Sequence, residues 1–229
     1  MNYETKLCIK VAAFLLPFVV AIVRLIAILP ALHSPEITAQ GQSFHEVPLI
    51  AKNTNVMIFL GSGGHTGEMM RILSQVDLSE VSRTWVTSSN DSASMVKARD
   101  FEEHLSSSQP ANFLTLHRAR AVQEPLLLSI QNTVRSFIST YKGMRELPQL
   151  PSVLLLNGPG TSVPLAYMLF AMKYFGLCTT RVVYIESLAR VNLLSLSGKL
   201  LLPITDRFIV QWEQLYYQYK RAEYYGVLI

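Results

Sequence analysis

Charge and cysteine are both scarce in this sequence. Asp, Glu, Lys and Arg make up 16% of its 229 residues, against about 25% in ordinary soluble domains. Hydrophobic residues make up 50%, and the mean hydropathy is +0.27. Intrinsic disorder is excluded by that balance, and the chain does not read as an ordinary cytosolic protein. Its two cysteines, Cys8 and Cys178, are too far apart to form a CxxC metal or redox pair, and a disulfide-built miniprotein is excluded. There is no His-Glu-x-x-His motif, no Ser-His-Asp spacing and no Gly-Lys-Ser/Thr phosphate loop. Hydrolase, metal and ATP chemistry therefore have no basis in the sequence. Repeats are absent, and Ser106-Ser107-Ser108 is the only low-complexity run. The remaining charges, 20 basic against 16 acidic, give +4 at pH 7. So mild an excess suits an anionic surface or ligand without requiring nucleic acid. The length fits one domain of about 100–200 residues plus an additional segment.

The apolar excess is concentrated near the N-terminus. Residues 11–23 carry no charge, Arg24 interrupts, and 25–32 continue the run. As a helix, 11–32 would extend about 33 Å at about 1.5 Å per residue, enough for a bilayer core of about 30 Å. Arg24 could snorkel to an interface, and Pro17 is tolerated in membrane helices. We read 1–32 as a membrane anchor. Two alternatives stand beside it. One is a cleaved signal peptide, because Lys6 and Lys10 precede the run, although Pro30-Ala31-Leu32-His33 is a poor cleavage site. The other is a buried core helix. Lys52 is the first Lys or Arg after the run, so the positive-inside rule leans slightly toward a translocated C-terminal domain. Residues 33–55, with Pro35, Gly41 and Pro48, read as a linker or a membrane-surface segment.

From Val56 onward, strand and helix patterns alternate. Short apolar or β-branched runs at 56–60, 83–87, 112–116, 152–156, 181–185 and 207–210 predict strands, the first buried on both faces. Helical spacing predicts helices over 66–76, 125–141, 165–175, 193–202 and 213–225. The alternation predicts an α/β fold over 56–229, a Rossmann-like, doubly wound parallel sheet.

In such sheets ligands bind beyond the carboxyl ends of the strands. Gly61-Ser62-Gly63-Gly64-His65-Thr66 follows the first strand and opens a helix. Glycines permit close backbone approach, and the helix N-terminus offers free N–H groups to a phosphate; a ligand-free tight turn is the alternative. The dinucleotide fingerprint fails, because Thr66 takes its third glycine position and no acidic residue ends the second strand, which disfavours NAD. His65 could donate to a phosphate or accept a proton. Asn157-Gly158-Pro159-Gly160-Thr161 is a second glycine turn, either an anion or sugar contact or a helix start capped by Thr161 or Ser162. Glu186-Ser187 with Arg190 follows the fifth strand; Glu186 would be a base, a sugar-hydroxyl acceptor or a partner of Arg190. Asn90-Asp91 makes a similar, weaker case. Trp212, Tyr216, Tyr217, Tyr219, Tyr224 and Tyr225 crowd the C-terminus, which ends Gly226-Val227-Leu228-Ile229. Aromatic enrichment suits a protein-docking segment, with a self-packed helix as the alternative.

These motifs form an ordered set. Gly61-Ser62-Gly63-Gly64-His65-Thr66-Gly67-Glu68-Met69, Asn157-Gly158-Pro159-Gly160-Thr161, Val183-Tyr184-Ile185-Glu186-Ser187, Leu194-Ser195-Leu196-Ser197-Gly198-Lys199-Leu200 and Val210-Gln211-Trp212 resemble the membrane-anchor subunits of the eukaryotic UDP-N-acetylglucosamine transferase of N-glycan assembly. The glycine loop is also similar, more distantly, to that of the MurG-type lipid II glycosyltransferases. Leu188-Ala189 depart from the pattern, which would place an aromatic and a small residue there.

The resemblance implies the N-terminal, acceptor-binding half of a GT-B fold. Such a half binds no cofactor of its own, and UDP-GlcNAc would sit on a soluble catalytic partner; any metal requirement is left open. Gly61, Ser62, Gly63, Gly64, His65 and Thr66 would hold the acceptor diphosphate, with His65 and Glu186 as catalytic candidates. Asn90, Asn157, Gly158, Gly160, Thr161, Glu186, Ser187 and Arg190 would line the cleft. Tyr216, Tyr224, Tyr225, Val227, Leu228 and Ile229 would dock the partner, and 165–175 would be the membrane-facing helix, with burial in the core as the alternative. The implied setting is the cytosolic face of the endoplasmic reticulum membrane and nuclear envelope, with a dolichol-linked acceptor and the preceding GlcNAc-phosphate transferase as further partners. A cytosolic domain opposes the slight charge bias, and Asn90-Asp91-Ser92, the only N-glycosylation sequon, would then stay unmodified. Two competing functions are a non-enzymatic membrane adaptor, and a stand-alone nucleotide-sugar or NAD enzyme active as a single chain.

Overall fold

The computed structural model describes residues 3–33, 54–119, 126–158 and 160–229. Most of the expected linker (34–53), the start of the helix expected at 125 and Pro159 lie outside them. Among the described residues seven strands form one parallel sheet: β1 (Asn55–Leu60), β2 (Ser82–Ser88), β3 (Ala111–Leu116), β4 (Val153–Asn157), β5 (Arg181–Ile185), β6 (Arg207–Val210) and β7 (Ala222–Tyr224). Their order is β3-β2-β1-β4-β5-β6-β7. The six strands expected from the sequence are all present. The chain winds outward from β1 to β3, returns to β4, and winds outward the other way. The order therefore reverses between β1 and β4, where Leu60 pairs with Asn157.

Side-chain alternation along β1 builds a core on each face. Val56, Ile58 and Leu60 pack with Met69 and Leu73 of α2 (Gly64–Leu73) and Ala98 of α3 (Ser92–His104). Met57 and Phe59 pack with Met144 of α4 (Leu126–Glu146), Leu165 and Leu169 of α5 (Ser162–Tyr174), Leu201 of α6 (Leu196–Leu201) and Leu215 of α7 (Glu213–Gln218). Both faces are covered, which is why these strands carry apolar runs rather than alternation.

Sequence and structure differ in three elements. Helix α3 has no clear apolar stripe, so periodicity misses it; Asp91 starts it by accepting the Ser94 N–H at 3.2 Å. The helix expected over 213–225 stops at Gln218, and the chain turns into β7 on the sheet edge. The Arg207–Glu223 ion pair between β6 and β7 and the Arg207 Nη2–H donated to the Tyr225 hydroxyl at 2.6 Å hold that strand against helix propensity. The helix expected to face the membrane, 165–175, is a core element: Leu165, Ala166, Leu169 and Met172 are buried.

The N-terminal apolar run is helix α1 (Tyr3–Ile28), followed by a 3₁₀ turn at Pro30–Leu32. Its most apolar stretch is 0% buried against the domain, so it is not a core helix. Arg24 has a defined role. Its Nε and Nη2 donate to the carbonyls of Tyr174 and Lys173, both at 3.2 Å, while the Tyr174 hydroxyl donates to the Ala21 carbonyl at 3.1 Å. A guanidinium thus meets the last carbonyls and negative dipole end of α5 and docks α1 on the domain.

Candidate functional site

The loops after β1 and β4 flank the point where strand order reverses, the usual ligand crevice of an open parallel sheet. They approach closely. A Cβ added to Gly61 would lie 2.8 Å from the Asn157 carbonyl and 3.0 Å from His65 Cβ, and one on Gly158 (φ +103°) would lie 2.8 Å from His65 Cγ. Only glycine fits these two positions. Gly63 (φ +67°) occupies the left-handed region and starts α2 with no side-chain cap. Ser62, Gly63 and Gly64 are exposed, so the first-turn amides of α2 open toward the crevice. Thr66 lies beneath them, its hydroxyl bonded to the Gly61 carbonyl and to the Ser94 hydroxyl; it closes the loop and does not face the opening.

His65 and Asn157 form the chemical centre of the crevice. His65 is half-buried, and its Nδ1 lies 2.9 Å from Asn157 Oδ1. An amide oxygen only accepts, so Nδ1 carries the proton and Nε2 remains to accept a proton or, once protonated, to donate. Asn157 is completely buried at the end of β4, and its Nδ2 has no partner among the described residues. A buried, unpaired amide donor is costly unless something supplies an acceptor, and a phosphate or sugar oxygen would do so. No group of three His, Cys, Asp or Glu side chains able to hold a metal occurs among the described residues.

The other expected cleft residues serve the scaffold. Thr161 is 2% exposed. Its Oγ1 accepts from the Ser88 hydroxyl at 2.9 Å and the Ala119 N–H at 3.2 Å, joining the ends of β2, β3 and β4; α5 has no side-chain cap. Gly160 (φ +76°) lies two residues before α5, and its N–H donates to Ser197 Oγ at 3.3 Å. Glu186 is 1% exposed. Its Oε2 accepts from the Ser195 N–H and hydroxyl, both at 3.0 Å, and Oε1 from the Ser187 N–H at 3.1 Å. It therefore fixes the loop before α6 and has no pair with Arg190, which lies exposed. Burial, then the Glu186 charge, pushes the neighbouring Tyr184 phenol well above its ordinary pKa. Ser187 donates to Glu68 at 3.1 Å. Asn90 (φ +66°) is an exposed turn residue before the Asp91 cap.

At the C-terminus Tyr217, Tyr224, Tyr225 and Val227 are exposed, while Tyr216 packs against the core. Leu228 is tied to the domain: its N–H donates to Gln211 Oε1 at 3.2 Å and its carbonyl accepts from Gln75 Nε2 at 2.9 Å. Glu68 and Gln211 lie within the ordered motifs, but nothing in spacing alone reveals a contact between residues so distant in the chain. Nor does the sequence reveal the cavity of about 480 Å³ between β3 and α4, lined by His117, Arg135 and Lys142 among others.

The profile of a family described as "Oligosaccharide biosynthesis protein Alg14 like" matches residues 56–228. Three proteins named UDP-N-acetylglucosamine transferase subunit ALG14 are similar to this chain. That of Debaryomyces hansenii is 59% identical over all of both chains. That of Candida albicans is 49% identical, again over all of both. That of Homo sapiens is 31% identical over 78% of this chain and 84% of its own. Among solved structures, MurG of Acinetobacter baumannii aligns with a TM-score of 0.46 and 12% identity, over 70% of this chain and 41% of that longer one. The glycine crevice and the sheet that builds it fall inside the matched span: the chain belongs to the Alg14-like family of oligosaccharide biosynthesis proteins.

Proposed function

We propose that this chain is the membrane-anchoring, acceptor-binding subunit of a heteromeric UDP-GlcNAc transferase, the one that adds the second GlcNAc to GlcNAc-diphosphodolichol. The observation that carries this reading is the crevice between β1 and β4. It joins open helix amides, the oriented imidazole of His65 and the unpaired Asn157 amide donor. In the proposed mechanism the α2 amides and Asn157 Nδ2 hold the acceptor diphosphate. His65 Nε2 then donates to a phosphate oxygen or takes the proton of the attacking hydroxyl.

A single Rossmann-like sheet supplies one half of a GT-B enzyme. The donor UDP-GlcNAc therefore belongs to a soluble partner subunit, which docks on the exposed C-terminal aromatics and the tail. The partner has to be recruited to the membrane, which supports an anchoring role for α1. A second surface supports it too: Ile130 (63% exposed), Val134, Ile138 and Tyr141 form an outward apolar stripe on α4. Arg135, Lys142 and Arg145 are exposed on the same helix, a pattern suited to an anionic membrane surface. We place the domain on the cytosolic face of the endoplasmic reticulum, where the sugar nucleotide is available, with Asn90 unglycosylated.

The test is reconstitution in membranes with UDP-GlcNAc and a GlcNAc-diphospholipid. Transfer requires both subunits, and His65→Ala abolishes most transfer while leaving the partner bound. Transfer by either subunit alone, or full activity of His65→Ala, contradicts the reading.

A further inference from the structure

The buried carboxylate of Glu68 has no part in the chemistry above, yet it stands on the helix that the glycine loop opens. It is 6% exposed. It accepts from Ser187 Oγ at 3.1 Å, from the Leu188 N–H at 2.8 Å and from Gln211 Nε2. All three partners are neutral, so directed hydrogen bonds must offset the desolvation of a buried charge. Gln211 follows β6, is 1% exposed, and uses both ends of its amide. Nε2 donates to Glu68 and to the Glu186 carbonyl at 3.1 Å, while Oε1 accepts the Leu228 N–H at 3.2 Å. The Leu228 carbonyl in turn accepts from Gln75, just past the C-terminal end of α2, at 2.9 Å. Leu228 also packs on the core beneath α2. The C-terminal tail is thus tied twice, to the middle of α2 through Gln211 and Glu68, and just past its end through Gln75.

We infer that Glu68 is a positioning residue: through Gln211 it makes the placement of the glycine loop depend on the C-terminal tail. The inference rests on the reading that this tail docks the donor-binding subunit. The amide of Gln211 supplies the polarity. Flipping it would set its oxygen against the Glu68 carboxylate and its NH₂ against the Leu228 N–H, both repulsive. A tail held in place therefore selects the one arrangement that fixes Glu68, and with it α2 and the open amides at its N-terminus. A partner that grips the tail completes the acceptor site, so the acceptor is held best when the donor subunit has arrived.

The test uses the full-length chain with the UDP-GlcNAc-binding subunit in nanodiscs. Glu68→Gln removes the charge that strengthens the Leu188 and Gln211 hydrogen bonds, both made to Oε1, and sets an NH₂ where Oε2 accepts from the Ser187 hydroxyl. It raises KM for the GlcNAc-diphospholipid about five- to tenfold, within the usual range of site coupling, and leaves KM for UDP-GlcNAc and partner retention unchanged. Hydrogen exchange of the 62–66 amides slows on adding the partner to the unmodified chain and does not slow in Glu68→Gln. Gln75→Ala, at an exposed side chain, moves both readouts in the same direction by less, and serves alone where Glu68→Gln fails to fold. Equal changes in both KM values, or loop exchange insensitive to the partner in the unmodified chain, overturn the inference. Deleting 227–229 separates the two claims. If the partner stays bound, the docking reading falls; if the partner is released but never altered loop exchange, only the coupling falls.

Discussion

Gly61→Ala drives a one-carbon wedge into the crevice. The added Cβ would stand 2.8 Å from the Asn157 carbonyl and 3.0 Å from His65 Cβ. Ordinary contact begins near 3.4 Å, so one loop must retreat by about 0.6 Å, and backbone retreats less easily than a flexible side chain. Overpacking of this kind costs about 1–3 kcal/mol, or about 2–12 °C in Tm for a domain of this size. The retreat falls on the loops that carry the His65–Asn157 hydrogen bond. Lengthening it frees the imidazole to rotate, and kcat/KM for transfer falls about 10- to 100-fold, or about 1.4 kcal/mol for each factor of ten. Gly67→Ala is the control. Nothing lies within 4 Å of its added Cβ, and alanine in a helix gains about 0.5–1 kcal/mol over glycine. The assay is transfer kinetics in the reconstituted complex, read beside thermal unfolding of each variant. If Gly61→Ala turns over within twofold of the unmodified chain, as Gly67→Ala does, the two glycine loops do not form the site.

Three further outcomes follow from the same geometry. Glu102→Ala removes the carboxylate that takes both Nε and Nη2 of buried Arg83, at 2.7 and 2.9 Å, and the Trp85 indole N–H; it destabilises the domain by about 3–5 kcal/mol, measured by denaturant unfolding, and a loss under 1 kcal/mol would contradict that role. Arg24→Leu makes α1 more apolar but removes the cap on α5, so the domain loses stability while membrane retention persists; loss of retention would show that Arg24 anchors instead of docking. Stability also falls as pH rises above 10, because the unfolded chain releases the Tyr184 proton there and the folded chain, whose phenol pKa is raised by burial and by Glu186, keeps it; the loss is at most about 1.4 kcal/mol per pH unit for this group, and pH-dependent melting shows it.

The central sheet was legible because each buried strand carries a run that only a two-sided core explains, as in Val56–Leu60. The order of the glycine loops was legible too, since strand ends and helix starts bracket them. Helix α3 was not, because a Ser- and charge-rich surface helix held by an Asp91 cap leaves no apolar period. Strand β7 was not, because Arg207 reaches Glu223 across the sheet edge and overrides a helical pattern in the local sequence. Glu186 looks chemical from sequence, as a carboxylate at a strand end, and only the structure shows it accepting from Ser195 and the Ser187 amide. Arg24 looks from sequence like a flaw in an apolar span and turns out to cap α5. Over 165–175 the sequence does not show which residues the sheet covers, and Leu165, Ala166, Leu169 and Met172 are buried, because hydrophobic bulk alone does not say which side of a helix packs inward.

Binding of each substrate to this chain alone, embedded in nanodiscs and without any partner, tests the central claim most directly. A GlcNAc-diphospholipid binds, and its binding weakens at least about tenfold, about 1.4 kcal/mol, when Asn157→Ala removes the buried amide donor; UDP-GlcNAc does not bind. Saturable UDP-GlcNAc binding that Asn157→Ala abolishes, with no affinity for the lipid diphosphate, would make the crevice a donor site and contradict the account.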